Sequence, residues 1–350
     1  MKQVEIGVIG AGWWACAAHI PTLVDHPAVK SVAVVRPDRD GLDKVLSHFR
    51  LEHGYLDAQQ MLDERSLAGA VISSPHVLHA EHALLAINHG LNVLVEKPFG
   101  TTIAEARAIE AAARAKGVSV MMPYGWNYRP MTEAAHRLMR DGYIGDVRHV
   151  VAQMASSLGD LFAGQPLAEA KGALFEPPAS TWADPKRAGG YGWGQLTHGL
   201  GALFRLIDLD PTEVYAKLGN SEVGVDYYDA AVVSFANGAT MSLSGSGTIP
   251  KVRGGYQIDI RIFGTEGMLL YDIERARVEA YRNDGKSHIE SLPPDAGEYD
   301  SASPAALFAR LCAGEDIINP ANATIGRRAT EVLDGMYRSA RSGKPEEIKP

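Results

Sequence analysis

From the N-terminus, short apolar runs rich in β-branched residues alternate with stretches of helical period. The runs are Val4–Ile9, Val32–Val35, Ala70–Ile72, Asn92–Val95 and Val118–Met122. Between them the spacing predicts helices at 13–25, 39–50, 77–89 and 102–116. Near-continuous apolar strands separated by helices are what a parallel sheet covered on both faces requires. The last helix is bounded on both sides: Thr102 and Glu105 have capping-box spacing, and Gly117 follows Lys116 as a stop. Residues 1–122 therefore read as a doubly wound α/β domain of the Rossmann type.

After Pro123 the period changes. A helix is expected over 131–141 and a strand over Val147–Ser156. Residues 157–192 hold six glycines and four prolines with little periodicity. So long an irregular stretch in a compact domain is often a binding or lid element. A further helix is expected at 195–207, then strands at 213–218, 228–236, 239–247, 256–264, 268–272, 277–282 and 287–291. Asn237-Gly238 marks a hairpin, because both turn positions tolerate positive φ. Successive strands without intervening helices imply a large, mostly antiparallel open sheet. The tail, 303–342, reads as two helices around a loop at Pro320. Residues 123–350 are thus expected to form one α+β domain, with no internal repeat.

Composition narrows the classes. Apolar residues make up 46% of 350 and charged residues 22%, so a buried core is available and a disordered or collagen-like chain is excluded. Lys plus Arg number 34 against 42 Asp plus Glu, a formal charge of −8 that argues against general nucleic-acid binding. Cys16 and Cys312 cannot build a disulfide framework, which points to a reducing compartment. The apolar N-terminus raises the question of a signal peptide, but Glu5, Gly7, Gly10, Gly12 and His19 interrupt the run. No stretch reaches the length of a membrane helix. The expectation is a soluble, cytoplasmic protein.

Gly10-Ala11-Gly12-Trp13-Trp14-Ala15 follows the first strand and opens the first helix. Gly10 permits the tight turn, Gly12 lets a pyrophosphate approach the backbone, and Ala15 lets helix and strand pack closely. The N–H groups at the helix start, at Trp13 and Trp14, face the phosphates. Alone the pattern is weak; on a strand–turn–helix inside βαβ it points to a dinucleotide. The second strand ends in Arg36, then Pro37 and Asp38. Arg36 suits a ribose 2′-phosphate and favours NADP. In the competing reading Arg36 stacks on adenine while Asp38 takes the 2′-hydroxyl of NAD.

Ser74-Pro75-His76-Val77-Leu78-His79 and Glu96-Lys97-Pro98, with the glycine loop, resemble the Gfo/Idh/MocA oxidoreductases, the family of glucose–fructose oxidoreductase and inositol dehydrogenase. The resemblance continues through Asn127-Tyr128-Arg129-Pro130, the Asn237-Gly238 hairpin and Gly264-Thr265-Glu266-Gly267, covering nearly the whole chain. It implies a nicotinamide cofactor, NAD or NADP, met by Ser74, Pro75, His79, Glu96 and Lys97. It also implies a carbohydrate or cyclitol substrate, and a homodimer or homotetramer built through the C-terminal sheet. Lys97, at the carboxyl end of a parallel strand, could bond the reacting hydroxyl and stabilise alkoxide charge. The bland alternative is a surface lysine neutralised by Glu96.

The family's second catalytic segment corresponds to Gly189–Gly201, with His198 at the histidine position as acid–base partner. Gly194 stands where many sugar dehydrogenases of the family carry aspartate, which removes one acid–base and substrate-binding group. Thr197-His198-Gly199-Leu200-Gly201 also resembles the superfamily's NAD-dependent glycosidases, which oxidise a sugar transiently, eliminate the aglycone, add water and return the hydride. The tyrosine that some of those place three residues before the histidine is Gln195 here. A catalytically silent sugar or nucleotide sensor on the same fold is the third reading.

Tyr124, Trp126, Asn127, Tyr128, Arg129, Trp182, Tyr191 and Trp193 concentrate aromatic and polar groups that suit a carbohydrate site. Ordinary core packing is the competing account of each. In the long loop, Lys186 and Arg187, with Lys171 and Asp184 nearby, are candidates for binding a sulfonate, carboxylate or phosphate substituent. His76, His79 and His82 recur every third residue, but no cysteine or carboxylate cluster accompanies them, and no metal is expected.

Overall fold

The computed structural model describes residues 2–250 and 255–349, apart from the side chain of Glu169. The chain divides into two units: Met1–Gly125 with Pro166–Thr181 and Ser301–Arg327, and Trp126–Gln165 with Trp182–Asp300 and Arg328–Pro350.

The first unit is built on a six-stranded sheet in the order β3-β2-β1-β4-β5-β6. Its strands are β1 (Val4–Ile9), β2 (Val29–Val35), β3 (His53–Tyr55), β4 (Gly69–Ile72), β5 (Asn92–Val95) and β6 (Val120–Met121), paired in parallel throughout. All six residues of β1 are buried, as a central strand with both faces covered demands. Each fully buried Val or Ile there contributes about 1.5–3 kcal/mol. The helices are α1 (Ile20–Val24), α2 (Arg39–Phe49), α3 (Ala58–Glu64), α4 (His79–Asn88) and α5 (Ile103–Lys116). The expected capping box at Thr102 and Glu105 is formed, and Gly117 closes α5 at φ +65°.

Two elements here escape the apolar pattern. β3 is half-buried along its whole length and α3 has a single buried stripe, so neither carries a long enough apolar signal. The helix expected over 13–25 is split, with a π-turn over Ala15–His19 feeding the one-turn α1.

Ser301–Arg327, expected with the C-terminal domain, packs in the first unit. The rings and sulfur of α10 (Ser303–Cys312) explain why: a Cβ on Gly69 of β4 would lie 2.5 Å from Cys312 Sγ and 2.7 Å from Phe308 Cζ. Asn319 Nδ2 donates to the Val120 carbonyl at 2.8 Å and Met121 bridges Asn322, so the Pro320 loop extends the sheet edge.

The second unit holds a nine-stranded sheet in the order β14-β13-β12-β11-β7-β10-β9-β8-β15. Its strands are β7 (Val147–Ser156), β8 (Pro211–Asn220), β9 (Asp226–Phe235), β10 (Thr240–Ser246), β11 (Tyr256–Gly264), β12 (Gly267–Asp272), β13 (Arg277–Arg282), β14 (Ser287–Ile289) and β15 (Glu346–Glu347). Every pairing is antiparallel except β7 with β10. Gly238, at φ +82°, turns β9 into β10, with Phe235 N–H donating to the Ala239 carbonyl. Alternation is clean: Val150, Ala152 and Met154 face inward, while Val151 and, on β9, Val232 lie open. Two long helices, α6 (Pro130–Arg140) and α9 (Thr197–Leu206), and most of α11 (Ala323–Ser342) complete this unit. Between residues 157 and 192 regular structure is limited to short turns, the α-helical ones being α7 (Gly159–Phe162) and α8 (Ala179–Trp182).

Candidate active site

In the first unit the carboxyl ends of β1, β2, β4 and β5 gather the residues expected to meet a dinucleotide. Gly10 sits at φ +96°, and a Cβ there would collide with the backbone of Ser73 and Ser74. Only glycine can hold this turn against the β4 loop. Gly12 is different, since a Cβ built on it meets nothing within 4 Å. That open space lies beside the N–H groups that begin the π-turn and leaves the backbone open to close approach by a phosphate, so the residues present fit a dinucleotide. Trp13 and Trp14 follow, half-buried, their rings 5.5 Å apart and tilted by 60°.

Arg36 leaves the end of β2 and is held three ways. Its Nη1 donates to the Ala11 carbonyl at 2.9 Å, its Nε lies 2.7 Å from Asp38 Oδ2, and its guanidinium stands 3.9 Å over the Phe175 ring. The other Asp38 oxygen caps α2 by accepting from Gly41 N at 2.7 Å. Phe175 comes from the irregular stretch, and no spacing in the sequence links it to Arg36.

The β4 loop is tied to the Glu96-Lys97-Pro98 segment through His79. One imidazole nitrogen faces the Ser74 carbonyl and the other the Pro98 carbonyl, each at 2.7 Å. Burial works to lower the His79 pKa, and the two carbonyls work to raise it. The Ser74 hydroxyl lies 2.9 Å from His82 Nδ1, so two of the three regularly spaced histidines are engaged by the Ser74 loop. Among the described residues no group of three His, Cys, Asp or Glu side chains is placed to hold a metal ion. Pro75 begins the short turn before α4, with its carbonyl accepting from Leu78 N at 2.8 Å.

Lys97 follows β5 through a buried pair. Glu96 Oε1 lies 2.8 Å from His19 Nε2, and Glu96 Oε2 accepts from Lys97 N at 3.1 Å. Burial opposes the charge on Glu96, but the hydrogen bond and charge of His19, with Lys97 and His79, hold the carboxyl below its ordinary value. Burial lowers the Lys97 ammonium to about 8, against the raising influence of Glu96. The Lys97–Pro98 peptide is cis. His19 was legible only as a polar interruption of the apolar N-terminus; its partnership with Glu96 spans 77 positions. Tyr124, also of the first unit, is buried, 1% exposed.

In the second unit His198 is the second residue of α9 and is buried. Its ring meets Trp126 edge-on at 5.5 Å and Tyr299 edge-on at 5.4 Å. Asn127 Nδ2 donates to the Gly201 carbonyl on the same helix at 3.0 Å. Arg129 is directed elsewhere: its Nη2 and Nε donate to the carbonyls of Asp295 and Ala296 at 2.8 and 3.3 Å. Lys186 is exposed and Arg187 half-buried, both on a turn capped by Asp184.

The turn Gly192–Leu196, a π-turn, runs directly into α9 and carries buried Trp193 and Gln195. The Trp193 indole stacks on Tyr337 at 5.1 Å and 10°. Tyr191 is fully buried, with its ring against Gly245, Gly247 and Phe162. Gly194 has a physical reason as well. A Cβ there would lie 2.8 Å from Phe162 and 3.2 Å from Trp182, so these two rings fill the place a larger side chain would need. Of the candidate substrate residues, Asn127 and His198 therefore share α9 and its cover, Tyr191 and Trp182 share the Phe162 cluster, and Trp193 faces α11.

Two family models match the chain: the Gfo/Idh/MocA oxidoreductase family, NAD-binding Rossmann fold, over residues 4–124, and the Gfo/Idh/MocA C-terminal domain over residues 132–270. The chain belongs to this oxidoreductase family. Among curated relatives it is similar to a D-apiose dehydrogenase of Paraburkholderia graminis, 26% identical over 84% of this chain and 74% of that one. It is also similar to a dTDP-3,4-didehydro-2,6-dideoxy-alpha-D-glucose 3-reductase of Streptomyces antibioticus, 27% identical over 84% and 85%. An oxidoreductase domain protein from Kribbella flavida has the same fold, with TM-score 0.78 and 21% identity over the full length of both chains.

Proposed function

We propose that the chain moves hydride between NADP and a secondary hydroxyl of a sugar, sugar derivative or cyclitol. The observation that carries the reading is Lys97: a buried ammonium, at the carboxyl end of a parallel strand, lowered to about 8 by desolvation. Near that value the group exists in both protonation states around neutrality, which general acid–base work requires. Lys97 takes the hydroxyl proton as the alcohol is oxidised and returns it when the carbonyl is reduced. The nicotinamide, when bound, accepts or supplies the hydride. His198 serves as the second acid–base group, its ring orientation fixed by Trp126 and Tyr299. Gly10, Gly12 and the N–H groups at Trp13 and Trp14 bind the pyrophosphate; Ser74, Pro75, His79 and Glu96 shape the floor beside it.

Arg36 supports NADP over NAD, because its guanidinium sits beside the Ala11 carbonyl of the glycine loop and offers charge-assisted bonds to a 2′-phosphate. The Asp38 ion pair must then open or rotate when the phosphate arrives. The substrate class is supported by relatives named for acting on D-apiose, on a dTDP-linked deoxyhexose and, in Bacillus subtilis, on scyllo-inositol with NADP(+). Trp193, Gln195, Asn127 and Trp182 are the second unit's candidates for packing on and bonding the sugar. Incubation with panels of pentoses, deoxysugars and cyclitols, following nicotinamide absorbance with each cofactor, tests the reading. Reduced cofactor formed in proportion to one class of polyol supports it; no turnover with any of them, despite cofactor binding, leaves the sensor reading in its place.

A homodimer or homotetramer through the open face of the nine-stranded sheet completes the proposal. Val232 and Tyr228, each more than half exposed, and Val151 and Tyr215 support it as an apolar surface on one sheet face. Light scattering on the purified chain measures the state directly. Among the described residues no helix is long and apolar enough to cross a membrane, and the buried free thiols of Cys16 and Cys312 suit a reducing cytoplasm.

A further inference from the structure

Two acidic side chains in the second unit serve no step of the reaction above. Asp226 and Asp229 stand three residues apart on β9, where strict alternation would send them to opposite faces. Instead Tyr228 pairs with Gly219 and Asp226 with Asn220, so Tyr227 is an extra residue without a partner in the ladder. This bulge turns Asp226 to the inner side together with Asp229. Both are buried, 2% and 3% exposed.

Their surroundings differ. Asp226 Oδ2 accepts from Gly192 N and Oδ1 from the Tyr337 hydroxyl, each at 2.7 Å. The Tyr337 oxygen in turn accepts from Trp193 N at 3.3 Å while its ring stacks on the Trp193 indole. Neither Asp229 oxygen meets an N–H or O–H donor among the described residues; the polar group beside it is the Asp226 carboxyl. Glycines clear the space: a Cβ on Gly190 would collide with Asp226, one on Gly245 would lie 2.9 Å from Asp229 Oδ2, and one on Gly192 2.6 Å from the Tyr337 oxygen. Among the described residues the titratable groups facing the pair are the phenols of Tyr191 and Tyr337, with Tyr256 beside Tyr191, and phenols are uncharged at neutral pH.

Two ionised carboxylates side by side in a buried site repel, whereas one proton turns their contact into a strong O–H···O⁻ hydrogen bond. Burial and the Asp226 charge both push Asp229 up; burial raises Asp226 as well, but there the Gly192 and Tyr337 bonds work against it and favour its charged form. We propose that Asp226 and Asp229 are positioning residues: Asp229 keeps a proton and donates it to Asp226, and the singly charged pair fastens the turn Gly192–Leu196 that leads into His198. The proposal deepens the reading of His198 and Trp193 given above.

Asp229→Asn keeps a donor toward Asp226 without a titratable proton; Asp229→Leu removes the donor. The infrared spectrum of the full chain should show a protonated carboxylic acid band at neutral pH that Asp229→Asn lacks. Asp229→Asn should keep kcat/KM within about twofold, with an unchanged near-ultraviolet Trp signal. Asp229→Leu should disturb that signal and lower kcat/KM by about 10–100-fold through KM for the polyol, with cofactor affinity retained, the loss expected for a hydrogen bond to a charged group. At alkaline pH the wild-type KM should rise while that of Asp229→Asn stays flat. Absence of the carboxylic acid band, or Asp229→Asn behaving like Asp229→Leu, overturns the proposal. If His198→Ala retains full activity while the infrared and Trp results hold, the assignment of His198 fails and the shared proton stands.

Discussion

Nε2 of His19 lies 2.8 Å from Oε1 of Glu96, and both side chains are buried. Glu96 in turn raises the Lys97 pKa against the effect of burial. Replacing the carboxylate should therefore act on the lysine. With Glu96→Gln, the rising limb of kcat/KM for alcohol oxidation should move to lower pH, because a neutral neighbour no longer favours the ammonium. An unmoved limb would show that Glu96 does not set the charge state of Lys97.

In the proposed mechanism oxidation requires Lys97 to accept a proton, so its neutral form is the active one. kcat/KM for oxidation should rise as the pH passes through about 8, and carbonyl reduction should show the opposite slope there. A pH–rate profile in both directions checks the sign.

The two glycines of the first loop should separate folding from binding. Gly10→Ala forces a side chain into positive φ and into the Ser73–Ser74 backbone, so it should lower stability by about 1–3 kcal/mol and abolish cofactor binding together. Gly12→Ala meets nothing in the protein and should leave Tm unchanged while weakening dinucleotide affinity. Thermal melts with and without cofactor distinguish the two.

Arg36→Ala should cost NADPH affinity about tenfold or more and leave NADH affinity within a few-fold, since only the 2′-phosphate is lost as a partner. Equal losses for both cofactors would favour adenine stacking by Arg36, and the ribose 2′-hydroxyl would then fall to Asp38. Titration of cofactor into each variant, read by protein fluorescence, decides.

The sequence made the local chemistry legible and left the long-range partnerships hidden. Strand–glycine–helix order, the capping box at Thr102 and the Asn237-Gly238 turn depend on neighbours in the chain, and each is present where expected. Phe175 over Arg36, His19 against Glu96 and the Asp226–Asp229 pair join residues by folding or by a bulge that no periodicity announces. The tail helix Ser303–Cys312 shows the same limit. Its amphipathic pattern declares a buried face but not which sheet receives it. Gly194, read as a missing aspartate, is in the structure a site already filled by Phe162 and Trp182.

The central claim is that Lys97 handles the proton of a polyol hydroxyl while the cofactor takes the hydride. Its most direct test is the rate of substrate-dependent NADPH formation by Lys97→Ala, beside its affinity for NADPH. The account predicts a fall in kcat/KM of about 10²–10⁴-fold with cofactor binding intact. Full activity in that variant, or release of an aglycone from a glycoside with no net NADPH, would contradict it.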